Sequence, residues 1–303
     1  EGQVWYNTTS NVLKGQAATA AGAWATGGTL NTARYLGGSA GTKTAALFFG
    51  GITVPPITAV TESYNGSSWT EVNDLNTARY VAGAGTQTSA LAMGGGTPPA
   101  TTATELWNGT NWTEVNDMNN ARKQDAGAGA DSTACLAFGG ADASGPTKSA
   151  DTETWNGTNW TEVNNLNTAR NELTGCGTNT AALAIAGNPA RTINESWNGT
   201  NWTELNDLNT GRHNLAAAGT TTNALAMGGY DGTDVTAVVE LWNGSNWTET
   251  TDLSVARYGL GGTGIYTAAI AFGGIKNGSP NVANNTEEWT GAGAGVTRTF
   301  TDS

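Results

Sequence analysis

The chain has 303 residues, a net charge of −12, 43 Gly and only 7 Pro. Its acidity, with a sequence pI near 4.4, argues against a nucleic-acid partner, because phosphate binding needs clustered Lys and Arg. No apolar run is long enough to span a bilayer, so we expect no membrane insertion. Two cysteines, Cys135 and Cys176, make neither a disulfide framework nor a CxxC metal site; they read as small buried thiols, with a single bridge as the alternative.

In chain order, "EGQVWYNTTSNVLKG" (1–15) comes first. It predicts a hairpin, "QVWYN" and "VLKG" about a polar turn, that serves as an attachment segment. The first residue is Glu1 and no signal-peptide pattern follows, so a processed chain or part of a longer one is expected. A Trp-bearing strand, "GAWATGGTL" (22–30), comes next and has no hairpin partner before it.

From there a phrase recurs: "ESYNGSSWTEVNDLNTAR" (62–79), "ELWNGTNWTEVNDMNNAR" (105–122), "ETWNGTNWTEVNNLNTAR" (153–170), "ESWNGTNWTELNDLNTGR" (195–212) and "ELWNGSNWTETTDLSVAR" (240–257). Its terminal Arg falls at 34, 79, 122, 170, 212 and 257. Those steps have the length of a propeller blade. Each repeat predicts four short strands. In the second they are "YVAGAG" (80–85), "ALAMGG" (90–95), "TELW" (104–107) and "NWTEVNDM" (111–118). Asn-Gly between the last two predicts a type I′ hairpin turn. Gly, Thr, Asn and Trp at a spacing of two exclude helix.

Fourth-strand Trp stands at 24, 69, 112, 160, 202 and 247, and third-strand aromatics are Tyr64, Trp107, Trp155, Trp197, Trp242 and Trp289. The two series are one element out of phase. The last third strand lacks a following Trp strand, and the first Trp strand lacks a predecessor. The sequence therefore predicts an all-β ring of six four-stranded antiparallel blades over 22–303, closed by the N-terminal strand; "VTRTF" (296–300) is the competing closing strand. Trp24, Trp69, Trp112, Trp160, Trp202 and Trp247 are expected to fill the space between blades. Arg34, Arg79, Arg122, Arg170, Arg212 and Arg257 are expected to bond Glu or backbone, with Glu62, Glu105, Glu153, Glu195 and Glu240 as acidic partners.

On the Gly-Gly pairs (50–51, 94–95, 139–140, 228–229, 273–274), the third-strand Tyr or Trp, the fourth-strand Trp and the Arg after it, residues 22–290 resemble the kelch family of β-propellers. Repeat four departs, with Ala186-Gly187. The resemblance implies a six-bladed kelch-like propeller and leaves function open, since such propellers serve enzymes and binding modules alike. The copper chemistry of galactose-oxidase-like relatives needs His ligands that this chain lacks. The leader (1–15) and "EEWTGAGAGVTRTFTDS" (287–303) resemble segments of structural proteins from tailed bacteriophages.

His213 is the sole histidine, at a position filled elsewhere by Tyr35, Tyr80, Lys123, Asn171 and Tyr258. It is read as a surface or packing residue. It cannot by itself build a multi-His zinc site, and no G-x-S-x-G elbow accompanies it. Glu71, Glu114, Glu162, Glu204 and Glu249 recur once per blade, which suits a solvated face better than a unique catalytic pair. "YDGTD" could place Asp231 and Asp234 around calcium, but reads more simply as a turn. The Asn-x-Ser/Thr triplets at the turns are glycan acceptors only in a eukaryotic secreted chain.

All seven Pro lie between second and third strands, in connections uneven in length. This loop face is the expected binding surface. Its candidate residues are Pro55, Pro56, Pro98, Pro99, Pro146, Lys148, Arg191, Tyr230, Asp231, Asp234, Lys276 and Asn277. The expectation is a non-enzymatic virion protein without cofactor or metal, part of a phage tail fibre or other appendage. It would be oligomeric in its assembly and bind a host surface glycan or protein, or a neighbouring virion protein. The alternative is a structural subunit of an extracellular filament or cell-surface assembly.

Overall fold

The computed structural model describes residues 4–7, 12–16, 22–54, 56–96, 99–142, 147–189, 191–277, 281–291 and 297–300, with side chains from Gly22 to Gly291. Six four-stranded antiparallel sheets stand around one axis. Blade one runs Gly38–Thr42, Ala45–Phe49, Thr61–Tyr64, Trp69–Val72, and the next four repeat that order. Blade six takes Gly261–Ile265, Ala268–Phe272 and Thr286–Thr290 from the C-terminal part and Ala23–Thr26 from the N-terminal part. Trp24 pairs with Trp289 across that join. First strands touch their neighbours all the way round, blade six meeting blade one. The competing strand goes elsewhere: Thr297–Phe300 pairs with Val12–Gln16, which pairs with Val4–Asn7, in a separate three-stranded sheet.

Small residues let six first strands converge. A Cβ on Gly83 would lie 2.5 Å from the Phe49 ring, and one on Gly175 2.4 Å from Phe138. Farther out, each interblade space is filled by one blade's second strand and the next blade's aromatic pair. Leu183 and Ile185 of blade four, for example, share a buried cluster with Trp242 and Trp247 of blade five. Third- and fourth-strand aromatics stack in every blade at centroid distances from 4.9 Å (Tyr64–Trp69) to 5.4 Å (Trp155–Trp160). Burying each such ring stabilises the ring by roughly 2–3 kcal/mol.

Six Arg side chains are at most 1% exposed, each paired with a third-strand Glu. The pairs are Arg34–Glu62, Arg79–Glu105, Arg122–Glu153 (2.7 Å), Arg170–Glu195, Arg212–Glu240 (2.9 Å) and Arg257–Glu287 (2.9 Å). In five pairs the other carboxylate oxygen accepts from the backbone and side-chain amides of the Asn three residues before the Arg, as Glu105 does from Asn76 at 2.7 Å; in the sixth, Glu287 accepts from the backbone amide of Ser254 at 2.7 Å. Each pair thus ties the connection entering a blade to that blade's third strand. Desolvation offsets much of the Coulomb gain, so register is the clearer benefit.

The Asn-Gly turns differ from expectation. Gly66, Gly109, Gly157, Gly199 and Gly244 have φ near 90°, but their Asn neighbours do not turn left-handed. A type I′ turn needs both. Instead Asn108 N donates to Asn111 O (3.3 Å), and Gly109 alone supplies the left-handed residue of the turn. The Asn side chain is occupied as well: Asn108 Oδ1 accepts from Thr110 and Asn111 amides at 2.9 Å. Repeat four keeps the backbone of the other repeats without their glycine, since Ala186 adopts φ 61° where the others have Gly. Cys135 and Cys176 are buried and unbridged.

Candidate functional site

The second-to-third-strand loops and the connections between blades lie side by side at one end of the ring. Isolated bridges join them: Tyr35 to Ile52, His213 to Tyr230, Tyr258 to Ile275. Between them opens an axial channel lined by the six first strands. At its far end every blade places a glycine: Gly41, Gly85, Gly129, Gly177, Gly219 and Gly264. At the loop end the repeat is abandoned.

The second residue after each repeat Arg rings this mouth. Leu36, Gln124, Glu172, Asn214 and Gly259 all have left-handed backbone, φ 51–64°. Their backbones form a chain of hydrogen bonds from blade to blade: Leu36 N to Gly259 O (2.8 Å), Gly259 N to Asn214 O (2.7 Å), Asn214 N to Glu172 O (2.8 Å), Glu172 N to Gln124 O (2.8 Å). Blade two is one residue short. Arg79 precedes Gly85 by six positions, whereas Arg34 precedes Gly41, and Arg122 precedes Gly129, by seven. Val81 N reaches Leu36 O at 3.3 Å, and among the described residues no bond joins Val81 to Gln124.

Next to this break sits Asp125, 8% exposed and channel-lining, where blades four, five and six have Leu173, Leu215 and Leu260. Neither of its carboxyl oxygens has a hydrogen-bond partner. Burial pushes its pKa from 3.8 up to about 7, against the pull of Arg122 and Arg79.

Glu172 is the hub of the mouth. It accepts from Gln124 Nε2 (2.8 Å), Asn188 Nδ2 (2.9 Å) and His213 Nδ1 (2.8 Å). Burial alone would raise its pKa, but these donors hold it below the usual carboxylate range. The pairing orients the His213 ring with Nδ1–H toward the carboxylate. The His213 ring meets Tyr230 at 5.3 Å, and Tyr230 meets Tyr258 at 6.0 Å. Lys148 Nζ donates to Asn188 O (2.7 Å) and Oδ1 (3.1 Å), so it lies one side chain away from Glu172.

No family model matches the chain, and no curated protein is similar to it in sequence. Its likeness is structural. The solved structure titled "Structure of YjhT" superposes with a TM-score of 0.70, covering 85% of this chain and 95% of that one at 11% identity. At that identity the YjhT likeness establishes the six-bladed β-propeller fold and nothing about the mouth's chemistry.

The candidate residues named from sequence divide into two groups. Lys148, Tyr230 and, by its closeness to Lys148, Arg191 belong to the mouth's surroundings. Asp231 and Asp234 cap their own turn: Asp231 Oδ1 accepts from Thr233 N (2.7 Å) and Asp234 N (2.8 Å), and Asp234 Oδ1 from Val235 N (2.7 Å). Among the described residues no group of three or more His, Cys, Asp or Glu could hold a metal. Lys276 and Asn277 bond within their own loop, to Asn281. Pro56 O accepts from Thr53, and Pro99 is exposed; Pro55, Pro98 and Pro146 lie outside the described residues. Glu172, Gln124, Asn188 and Asp125 escape the sequence reading, which takes His213 for a surface or packing residue. The signal was present in the repeat itself: aligned on the Arg, position two holds a different residue in every blade that has it.

Proposed function

We propose that this chain is a non-enzymatic recognition propeller of a tailed-phage virion, carried on a tail fibre or other exposed appendage. It binds a host surface component, or a neighbouring virion protein, through the loop face around the channel mouth. One observation carries the binding reading: six near-identical blades present unlike side chains at this mouth, and identical glycines at the opposite one. A scaffold that repeats everywhere except where it meets a solvent-open channel has its chemistry there. The placement on a virion, and the kelch kinship, rest on the sequence resemblances of the ends and of the repeat.

The test is replacement of the blade-three, -four and -five loops by one uniform short loop, with a single Glu172→Ala variant beside it. Labelled protein is then applied to a panel of bacterial cells and to purified appendage proteins. Both changes should lower binding at least tenfold while the ring stays folded; undiminished binding rejects the reading.

The Glu172–His213 pair favours a second reading, a glycan-acting enzyme. A carboxylate on Nδ1 fixes the imidazole and leaves Nε2 to exchange a proton with a bound ligand. Turnover in a glycan-degradation screen, lost in His213→Gln, would establish it in place of the first.

A further inference from the structure

The chain is strongly acidic, yet its free cations are gathered. Six of the 13 Lys and Arg are the buried partners of Glu. Of the others whose side chains are described, Lys43 pairs with Glu288 at the glycine end. The remaining four, Lys123, Lys148, Arg191 and Lys276, all stand on the loop face: Lys148 and Arg191 at the seam of blades three and four, and Lys123 beside them on blade three. None of those three forms an ion pair among the described residues.

Local structure holds them together. Lys123 pairs with Ala141, and Ala141 with Lys148, across a short antiparallel ladder. Residues directly opposite share a face, so two lysines flank one alanine. Asp142, the next residue, falls on the other face with Arg122. Lys148 is anchored by the neutral Asn188, while burial and the nearby Arg191 press its pKa downward. Arg191 Nε is buried without a hydrogen-bond partner. Glu172, the carboxylate whose charge reaches Lys148, is already shared among His213, Gln124 and Asn188. Like charges are thus gathered without a direct ion pair among the described residues, and a ligand anion would relieve them.

The rest of the rim is aromatic. The residue after each repeat Arg is Tyr258, Tyr35 and Tyr80 in blades six, one and two, and His213 with Tyr230 stands in blade five. Aromatic faces and edges with a polar atom suit the mixed surface of a sugar ring.

We propose that the seam of blades three and four binds the carboxylate or phosphate groups of an acidic surface polysaccharide whose sugars lie along the aromatic rim. This rests on the loop-face reading above and names the ligand class. The experiment measures binding of the whole chain to immobilised polygalacturonate, a carboxylate polymer, to poly(glycerol phosphate), and to uncharged dextran, at about 50 and about 500 mM salt, where screening lengths differ severalfold. Binding is expected to one or both acidic polymers, at least tenfold weaker in high salt. It should also be at least tenfold weaker in Lys148→Gln/Arg191→Gln, and unchanged in Lys43→Gln. The charge-preserving Lys148→Arg/Arg191→Lys variant, which folds with the same demands, should retain binding. Which acidic polymer binds separates carboxylate from phosphate. Equal binding of dextran, no binding of either acidic polymer, or full binding by the double Gln variant overturns the inference. Cell binding that is lost on loop replacement would still stand apart from such a failure.

Discussion

Asn194 shows how a single repeat position sets a buried hydrogen bond. The fourth-strand Trp of one blade donates Nε1 to the Thr that opens the third strand of the blade before: Trp69 to Thr286, Trp112 to Thr61, Trp160 to Thr104, Trp202 to Thr152, at 2.9–3.1 Å. Blade four has Asn194 instead, and both Trp247 Nε1 and Asn194 Oδ1 are left buried and unpartnered. Asn194→Thr should restore the bond and raise unfolding free energy by about 1 kcal/mol in urea titration. Asp125 gives the opposite lesson, a carboxyl in a leucine's place. Its folded pKa is above the unfolded one, so the folded state binds the extra proton between pH 3.8 and about 7. Stability therefore falls as pH rises through that window, by at most about 4 kcal/mol, and is flat above it. Asp125→Leu should abolish this contribution and raise the melting temperature more at pH 8 than at pH 4; an equal rise at both would show that the carboxyl does not titrate there.

At the scale of the element, the connection entering blade two is the exception. Five connections spend a left-handed residue, four of them with a Cβ, and all but that of Gln124 reach the neighbouring blade's carbonyl. A non-glycine residue there costs about 1 kcal/mol, which an interblade backbone bond offsets. Blade two avoids the strain by omitting the residue, and the chain of bonds stays open beside Asp125. Inserting Gly between Tyr80 and Val81 should complete the chain, since glycine adopts positive φ without strain. The expected gain is about 1 kcal/mol, seen as slower hydrogen exchange at Gln124; any ligand that enters beside Asp125 should bind more weakly.

For the whole molecule, ring closure is the deciding element. The first Trp strand pairs with blade six through four residue pairs, and Trp24 Nε1 reaches Thr251 O at 2.9 Å. A chain beginning at Gly27 should lose about 5 kcal/mol, from several sheet hydrogen bonds and the stacking of Trp24 on Trp289, with blade six exchanging first. Much of this architecture was legible in the amino-acid order. The strand count, the blade length, the phase slip between two Trp series and the Arg–Glu pairing all follow from local pattern, because each blade repeats one solution to the same packing problem. The sixth acid, Glu287, obeys the same rule but lay in a less regular repeat. By itself, then, the sequence determined the ring and its repeated contacts. Only the tertiary structure decided the mouth: Glu172, His213, Asn188 and Lys148 come from three different blades, and nothing local says that they meet. Convergence on the axis brings them within hydrogen-bond reach, and it sets the gap in the blade-two connection beside the buried, unpartnered carboxyl of Asp125 in blade three.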